Sequence, residues 1–111
     1  MKRVTYNKLV RDRIPDIIAT DDRRAKTRVL ADYEYASELK RKLAEEVEEF
    51  LTSEQAEELA DIMEVVYALA SHIGVDWTRL EEMRQAKRDE RGGFDKRIFL
   101  INSEVNEKGD A

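Results

Sequence analysis

The sequence of 111 residues has no cysteine, a single histidine, one proline and four glycines. The lack of cysteine excludes a disulfide framework, thiolate zinc sites and a cysteine nucleophile, and a single histidine excludes a metal site built from histidines. So few glycines and prolines exclude a linker-rich chain and a turn-dense β protein. No apolar run approaches the length of a membrane span, and the first residues contain no apolar signal segment. We therefore expect a single domain over residues 1–111 that is mostly helical and cytoplasmic.

Basic residues are missing from the middle of the chain. Residues 43–78 contain ten acidic residues and no lysine or arginine, whereas residues 1–42 contain twelve basic and seven acidic residues. An exposed helix normally mixes both signs, because Glu–Lys pairs four residues apart stabilise it and like charges destabilise it. The middle segment is also rich in Leu, Ile and Val, which argues against disorder. Its charge must therefore be balanced by the basic first third of the chain, by a partner or by a metal ion.

The spacing of apolar residues predicts two long helices. The first covers about residues 33–51, with Asp32 as a candidate N-cap, and its apolar face consists of Leu39, Leu43, Val47 and Phe50. Thr52 and Gln55 fit a capping box that would start the second helix. The apolar seam of this second helix consists of Leu59, Ile62, Val66, Leu69 and Ile73.

The flanking segments carry weaker signals. Residues 7–14 could form a helical turn that Pro15 ends or restarts. Gly74 suits the end of the second helix, and Asp76 suits the N-cap of a third helix that ends by residues 92–93. Residues 97–101 could form a short strand. Together these patterns predict an all-α bundle of about three to five helices with a possible short C-terminal strand.

One segment bears on the oligomeric state. Residues 62–73 read IMEVVYALASHI and are apolar on nearly every side. A helix of this kind is buried nearly all round, and a chain this small can hardly enclose it alone. We therefore expect a homo-oligomer, either a dimer or a tetramer.

Four carboxylates have the spacing of a metal site. Glu46 and Glu49 are three residues apart, and so are Glu58 and Asp61, so each pair lies on one helix face. If the two helices form an antiparallel hairpin around Thr52, the four carboxylates converge and repel one another unless a cation lies between them. Oxygen ligands without His or Cys suit Mg²⁺ or Mn²⁺. The alternative is that these residues are solvated glutamates on exposed helix faces, which are common.

The order of these residues resembles a known signature. Glu45-Glu46-x-x-Glu49 followed by Glu58-x-x-Asp61 resembles the EExxE…ExxD pattern of the all-α nucleoside triphosphate pyrophosphatases, a superfamily that includes MazG, dimeric dUTPases and phosphoribosyl-ATP pyrophosphatase. Further stretches resemble a small MazG-like "house-cleaning" subgroup, so that the likeness spans about residues 4–100. These stretches are residues 6–15, residues 42–50, and Lys87 together with residues 90–94.

The resemblance implies a fold, a reaction and a set of site residues. It implies an oligomeric helical bundle that hydrolyses a nucleoside triphosphate at the α-phosphate to the monophosphate and pyrophosphate, and so clears non-canonical nucleotides. It implies that Glu45 helps to orient the attacking water, and that Mg²⁺, or Mn²⁺ in its place, is held by Glu46, Glu49, Glu58 and Asp61. Basic groups must also hold the leaving pyrophosphate. Because residues 43–78 offer none, the candidates come from the flanks and are Lys8, Arg11, Arg13, Lys87 and Arg91.

Two alternatives remain open at this stage. The first is an enzyme of the same kind that acts on phosphoribosyl-ATP or another nucleotide-like pyrophosphate. The second is a non-catalytic helical interaction module whose acidic face binds a basic partner. Nucleic acid is not an expected partner, because the net charge is −5 and the chain has no recognisable nucleic-acid motif. A membrane partner is not expected either.

Overall fold

The computed structural model describes residues 2–106, and their regular structure is entirely helical. Four helices follow one another, with no strand among the described residues, which confirms the all-α prediction. The chain divides into two compact units, Met1–Leu80 and Glu81–Ala111. No helix in residues 2–106 is long and apolar enough to cross a membrane. The helices are α1 (Ile14–Thr20), α2 (Asp32–Ser53), α3 (Ala56–His72) and α4 (Trp77–Arg91).

The N-terminal segment contains no helix or strand before α1. The predicted helical turn over residues 7–14 forms only at its end, where the Ile14 N–H donates to the Arg11 carbonyl at 3.0 Å, and Pro15 lies in the first turn of α1. Proline is favoured there because the first helical N–H groups have no partner within the helix. Pro15 therefore starts a helix and does not end one.

Helix α2 begins one residue earlier than the sequence predicts. Its N-cap is Ala31, and Asp32 is already helical, so the assignment of Asp32 as N-cap was wrong. The Glu34 carboxylate accepts a hydrogen bond from the Ala31 N–H at 3.2 Å. Both of its oxygens also accept from Arg28, at 3.1 and 2.7 Å. These contacts hold the first turn without a capping side chain at residue 31.

The turn between α2 and α3 differs from the predicted capping box. Thr52 lies inside α2, where its hydroxyl donates to the Glu48 carbonyl at 3.0 Å, and Gln55 is the N-cap of α3 without a side-chain cap. Glu54 has a left-handed backbone (φ 56°), and its N–H donates to the Phe50 carbonyl at 2.7 Å. This bond ends α2, so that only residues 54 and 55 separate two helices that pack against each other.

The packing of α2 against α3 buries a face that differs slightly from the predicted one. Leu39 is buried as expected, but the buried residues of α3 are Val65 and Ala70, and Ile73 is 74% exposed. On α2 the acidic Glu46 is only 7% exposed, whereas its neighbour Val47 is an exposed residue. The hairpin therefore places a carboxylate in its interior beside a position where the periodicity predicts an apolar side chain.

The end of α3 and the start of α4 follow the sequence prediction. Gly74 has φ 86°, a conformation that other residues rarely adopt. The Val75 N–H donates to the Ala70 carbonyl at 2.8 Å, and the Gly74 N–H donates to the Ser71 carbonyl at 3.0 Å. This pair of bonds is a Schellman motif. The carboxylate of Asp76 then caps α4 by accepting from the Arg79 N–H at 2.9 Å.

Apolar side chains also remain exposed on the α2–α3 hairpin of the single chain. Leu51, Leu59 and Met63 are all exposed. They agree with the expectation that a second copy packs on this hairpin, and the homo-oligomer stays a prediction.

The possible strand near the C-terminus was wrong. In the unit formed by Glu81–Ala111, residues 98–101 are irregular, and their side chains from Ile98 to Ile101 are exposed. No other strand exists among residues 2–106 with which they could pair. A single unpaired strand leaves its backbone N–H and C=O groups without partners, so the apolar run alone does not produce one.

Candidate metal centre

Three of the four predicted metal ligands lie together. Glu46 of α2 and Glu58 and Asp61 of α3 each contribute one carboxylate oxygen, and these oxygens all lie within 4.8 Å of one another. Glu58 and Asp61 share a face because they are three residues apart on one helix. The short turn between the helices then brings Glu46 alongside them. We call these three residues the acidic triad.

The fourth predicted ligand, Glu49, is not part of this group. It lies on α2 one turn after Glu46, and its side chain is exposed. Its negative charge nevertheless acts on Glu46, since it helps to raise the pKa of that residue. The assignment of Glu49 as a metal ligand stays a prediction.

Glu46 is the residue whose surroundings most favour a bound cation. Its Oε2 atom is buried and has no hydrogen-bond partner among the residues that the structure describes. Burial raises the pKa of Glu46, as do the charges of Glu49 and Asp61, although Lys42 opposes them. A buried carboxylate oxygen without a partner is costly. A cation placed between the three carboxylates would remove this cost, so the donor set fits a divalent metal of the Mg²⁺ type.

Cations from the basic first third of the chain contact two carboxylates of the triad and the neighbouring Glu45. Arg11 Nη2 lies 2.6 Å from Asp61 Oδ1, and Lys8 Nζ lies 3.3 Å from Glu45 Oε1. Lys42 Nζ lies 3.5 Å from Glu45 Oε1 and 3.4 Å from Glu46 Oε1. The basic first third therefore supplies part of the charge balance that residues 43–78 cannot supply themselves.

Glu45 and Lys42 form the edge of this site. Burial opposes the ionisation of Glu45, but Lys42 and Lys8 together hold its pKa below the usual range. Glu45 therefore stays ionised and keeps oxygen atoms that can accept a hydrogen bond from water. Sequence reasoning did not assign Lys42 to the site. The signal was its spacing, since it precedes Glu45 by three residues and Glu46 by four.

The predicted phosphate-binding residues fall into two groups. Lys8 and Arg11 contact carboxylates of the site, as described above, and Arg13 is the exposed N-cap residue of α1, with no ion pair within residues 2–106. Lys87 and Arg91 are exposed residues of α4 and belong to the second unit. The role of all five in phosphate binding stays a prediction.

Comparison with known proteins identifies one family. Residues 16–88, more than half of the chain, match the family described as phosphoribosyl-ATP pyrophosphohydrolase (PRA-PH). This family lies within the MazG-like all-α nucleoside triphosphate pyrophosphatase superfamily that the sequence resembles. The matched stretch contains the whole acidic triad and begins after Lys8 and Arg11. No curated protein and no solved structure matched the chain.

Proposed function

This chain belongs to the phosphoribosyl-ATP pyrophosphohydrolase family, and we propose that it is a divalent-metal-dependent nucleotide pyrophosphohydrolase. The observation that supports this most directly is the acidic triad, whose member Glu46 is 7% exposed and has a buried oxygen without a partner in the described part of the chain. A solvated acidic face would leave its carboxylates in contact with water. Lys42 contacts Oε1 of this carboxylate, and a bound cation would supply the partner that Oε2 lacks.

Glu46, Glu58 and Asp61 would hold that cation, and we propose Mg²⁺ with Mn²⁺ as a substitute. The ligands are all carboxylates, which are hard oxygen donors, and the site offers neither His nor Cys. When bound, a divalent cation stabilises the charge that develops on the phosphate and lowers the pKa of a coordinated water. Glu49, one turn away, would add negative charge near the same position.

The remaining residues of the site would orient the reactants. Water adds to the α-phosphorus, the bond between this phosphorus and the bridging oxygen breaks, and pyrophosphate leaves. Because its pKa is lowered, Glu45 is a weak base that suits the orientation of the water through a hydrogen bond. Lys8, Arg11 and Arg13 are cations of the same unit that could hold the phosphates of the leaving group.

Two substrate classes fit this chemistry. Nucleoside triphosphates, including non-canonical ones, are implied by the resemblance of the sequence motifs. Phosphoribosyl-ATP is favoured by the description of the matching family. Both classes carry the 5′-triphosphate on which the proposed reaction takes place, so the triad suits either one equally well. The non-catalytic alternative, an acidic surface that binds a basic partner, predicts no hydrolysis of either class.

A substrate panel with matched variants tests this proposal. Pyrophosphate release would be measured with Mg²⁺ and with Mn²⁺ for canonical and non-canonical nucleoside triphosphates and for phosphoribosyl-ATP. Glu58→Gln removes one charge of the triad, whereas Glu57→Gln removes the same charge from the exposed neighbouring position. We expect the parent and Glu57→Gln to be active and Glu58→Gln to lose about 10²-fold or more. A parent inactive on the whole panel, or a fully active Glu58→Gln, would refute the proposal.

We also propose that the enzyme works as a dimer or tetramer. The support is the apolar segment 62–73 and the exposed side chains Leu51, Leu59 and Met63 on the α2–α3 hairpin. Light scattering at micromolar concentrations would give the mass directly. A monomeric mass over that whole range would refute this assembly.

A further inference from the structure

The segment before α1 touches the site although it has no regular structure of its own. We call residues 2–13 the N-terminal arm. Its contacts with the site join residues that are far apart in the sequence: 37 residues separate Lys8 from Glu45, and 50 separate Arg11 from Asp61. Between these two cations lie Leu9 and Val10, the half-buried residues of an otherwise exposed arm. The two ion pairs thus hold the arm on the hairpin.

The two ion pairs engage different parts of the site. Lys8 contacts Glu45, which is outside the acidic triad, whereas Arg11 contacts Asp61, which is a member of it. The Arg11 guanidinium therefore neutralises one of the three carboxylates that we propose as metal ligands. Breaking the Arg11 contact alone would leave the Lys8–Glu45 ion pair to keep the arm in place.

The Arg11–Asp61 pair is also weak enough to be replaced. The side chains are 55% and 40% exposed, and exposed ion pairs are weakened by solvent and by salt. A divalent cation on Asp61 would lie close to the guanidinium, and the two positive charges would repel each other. The cation would gain three carboxylates, whereas Arg11 holds one.

We propose that Arg11 is an exchangeable counterion of the metal centre, which pairs with Asp61 in the metal-free protein and leaves it when a divalent cation binds. This inference rests on the proposed function, since it presupposes that the acidic triad is the metal site. Once released, the guanidinium stays close to the site because the arm remains anchored, and its hydrogen-bond donors become available to the phosphates of the substrate. The exchange would therefore couple metal loading to the supply of a phosphate ligand.

The metal affinity of an Arg11 variant distinguishes two roles for Arg11, namely competition with the metal for Asp61 and positioning of Asp61 for the metal. In the protein molecules where Arg11 pairs with Asp61, the guanidinium competes with the metal. The apparent metal affinity falls in proportion to the fraction of molecules that are paired in this way. Arg11→Ala should therefore bind Mn²⁺ about two- to fivefold more tightly, the range expected for removal of an exposed ion pair. If Arg11 instead positions Asp61 for the metal, the same variant should bind Mn²⁺ more weakly.

The matched control is Arg13→Ala. Arg13 lies on the same arm and carries the same charge, but it has no ion pair in the described part of the chain. Mn²⁺ binding would be measured by electron paramagnetic resonance of the free ion for the parent and both variants at one ionic strength. Tighter binding by Arg11→Ala than by Arg13→Ala supports the exchange. Equal or weaker binding by Arg11→Ala overturns it.

A measurement on the parent protein does not depend on any variant. The ¹⁵N–¹H nuclear Overhauser effect of the Arg11 Nε–H group reports how ordered its side chain is. We expect this value to fall on addition of Mg²⁺ while the same group of Arg13 changes little. An Arg11 side chain that keeps its order at saturating Mg²⁺ overturns the exchange.

The two proposals fail in different ways. If the parent binds Mn²⁺ and releases pyrophosphate but Arg11→Ala binds Mn²⁺ no more tightly than Arg13→Ala, the exchange is wrong and the proposed function stands. If the parent and both variants take up no Mn²⁺, the metal centre is wrong and the exchange falls with it.

Discussion

Two arginine–carboxylate pairs of this protein have the same shortest distance and nearly the same exposure, but they have different origins. Arg11 and Asp61 are 2.6 Å apart with side chains 55% and 40% exposed, and Arg84 and Glu81 are also 2.6 Å apart with side chains 54% and 43% exposed. The α4 pair joins residues three apart on one helix, whereas the other joins residues 50 apart. A local pair forms wherever a helix has the right spacing. The distant pair requires the arm to reach the hairpin, so it depends on tertiary structure.

The carboxyl groups of the two regions also differ in how strongly their surroundings favour the ionised form. The hydrogen bond from Arg84 lowers the pKa of Glu81, whereas burial, followed by the charge of Glu49, raises the pKa of Glu46. The same side-chain type is thus stabilised as an anion on α4 and destabilised as an anion in the interior of the hairpin. This difference favours the acidic triad, rather than the acidic residues of α4, as the position of the proposed cation.

The largest expected difference between the two regions is in activity. Asp61→Asn removes one charge from the triad and should reduce pyrophosphate release by about 10²-fold or more. Asp89→Asn removes the same charge from α4, where Asp89 accepts a hydrogen bond from Gln85 at 2.9 Å, and should leave the rate unchanged. Steady-state rates with the best substrate of the panel provide the test. Equal rates for the two variants would contradict the assignment of the triad.

Metal-dependent stability should differ in the same direction. At a Mg²⁺ concentration about 100 times Kd, binding to the folded state adds about 2.7 kcal/mol to the free energy of unfolding, which raises the melting temperature by several degrees. Glu58→Gln should lose most of this gain, and without metal it should melt at or above the parent because one repulsive charge is gone. Glu81→Gln should keep the full gain. Thermal melts with Mg²⁺ and with a chelator measure both effects. A parent that melts at the same temperature with and without Mg²⁺ would argue against a metal site.

The pH dependence of stability should have opposite signs in the two regions. The pKa of Glu46 is higher in the folded state than the value of about 4.3 in the unfolded chain. Without metal, the parent should therefore lose stability relative to Glu46→Gln as the pH rises from about 4.3 through the folded pKa, because the ionised form is disfavoured in the folded state. Burial is the main cause of this raised pKa, and the charged groups that also act on it are Glu49, Lys42 and Asp61. The folded pKa of Glu81 is lowered, so its contribution should be present above about pH 4.3 and lost as the pH falls through the folded pKa.

Urea titrations at several pH values measure these contributions as differences between each variant and the parent. The difference for Glu46→Gln should grow with rising pH, and the difference for Glu81→Gln should shrink with falling pH. A pH-independent difference for Glu46→Gln would mean that burial does not disfavour its charge.

The sequence predicts those features that depend on local spacing. The three-residue spacing of Glu58 and Asp61 places them on one face, and Gly74 and Asp76 end α3 and cap α4 as expected. Thr52 shows the limit of such reasoning. Its hydroxyl can bond either forwards as a cap or backwards to a carbonyl, and the left-handed turn at Glu54 decides between the two.

Long-range features could not be derived in the same way. No pattern of spacing indicates that Arg11 contacts Asp61, because contacts across 50 residues depend on how the whole arm packs. The burial of Glu46 in place of Val47 depends on which face of α2 packs against α3, which the apolar periodicity does not resolve. Residues 97–101 were predicted as a possible strand because an apolar run does not show whether a partner strand exists.

The smallest expected effect is the coupling free energy within each arginine–carboxylate pair. Measuring this energy for both pairs compares the two regions directly. Double-mutant cycles with Arg11→Ala and Asp61→Asn, and with Arg84→Ala and Glu81→Gln, give the two coupling energies from urea unfolding. In a chelator the Arg11–Asp61 coupling should be at most about 1 kcal/mol, because both side chains are half exposed. The Arg84–Glu81 coupling should also be small.

The cycle cannot be used with Mg²⁺, because Asp61→Asn itself weakens metal binding. With Mg²⁺ bound to the parent, the ¹⁵N–¹H nuclear Overhauser effects of the Arg11 and Arg84 Nε–H groups are compared instead. The Arg84 group should keep its order, and the Arg11 group should lose it. If both groups respond alike to Mg²⁺, the distant pair is an ordinary surface pair and has no special link to the triad.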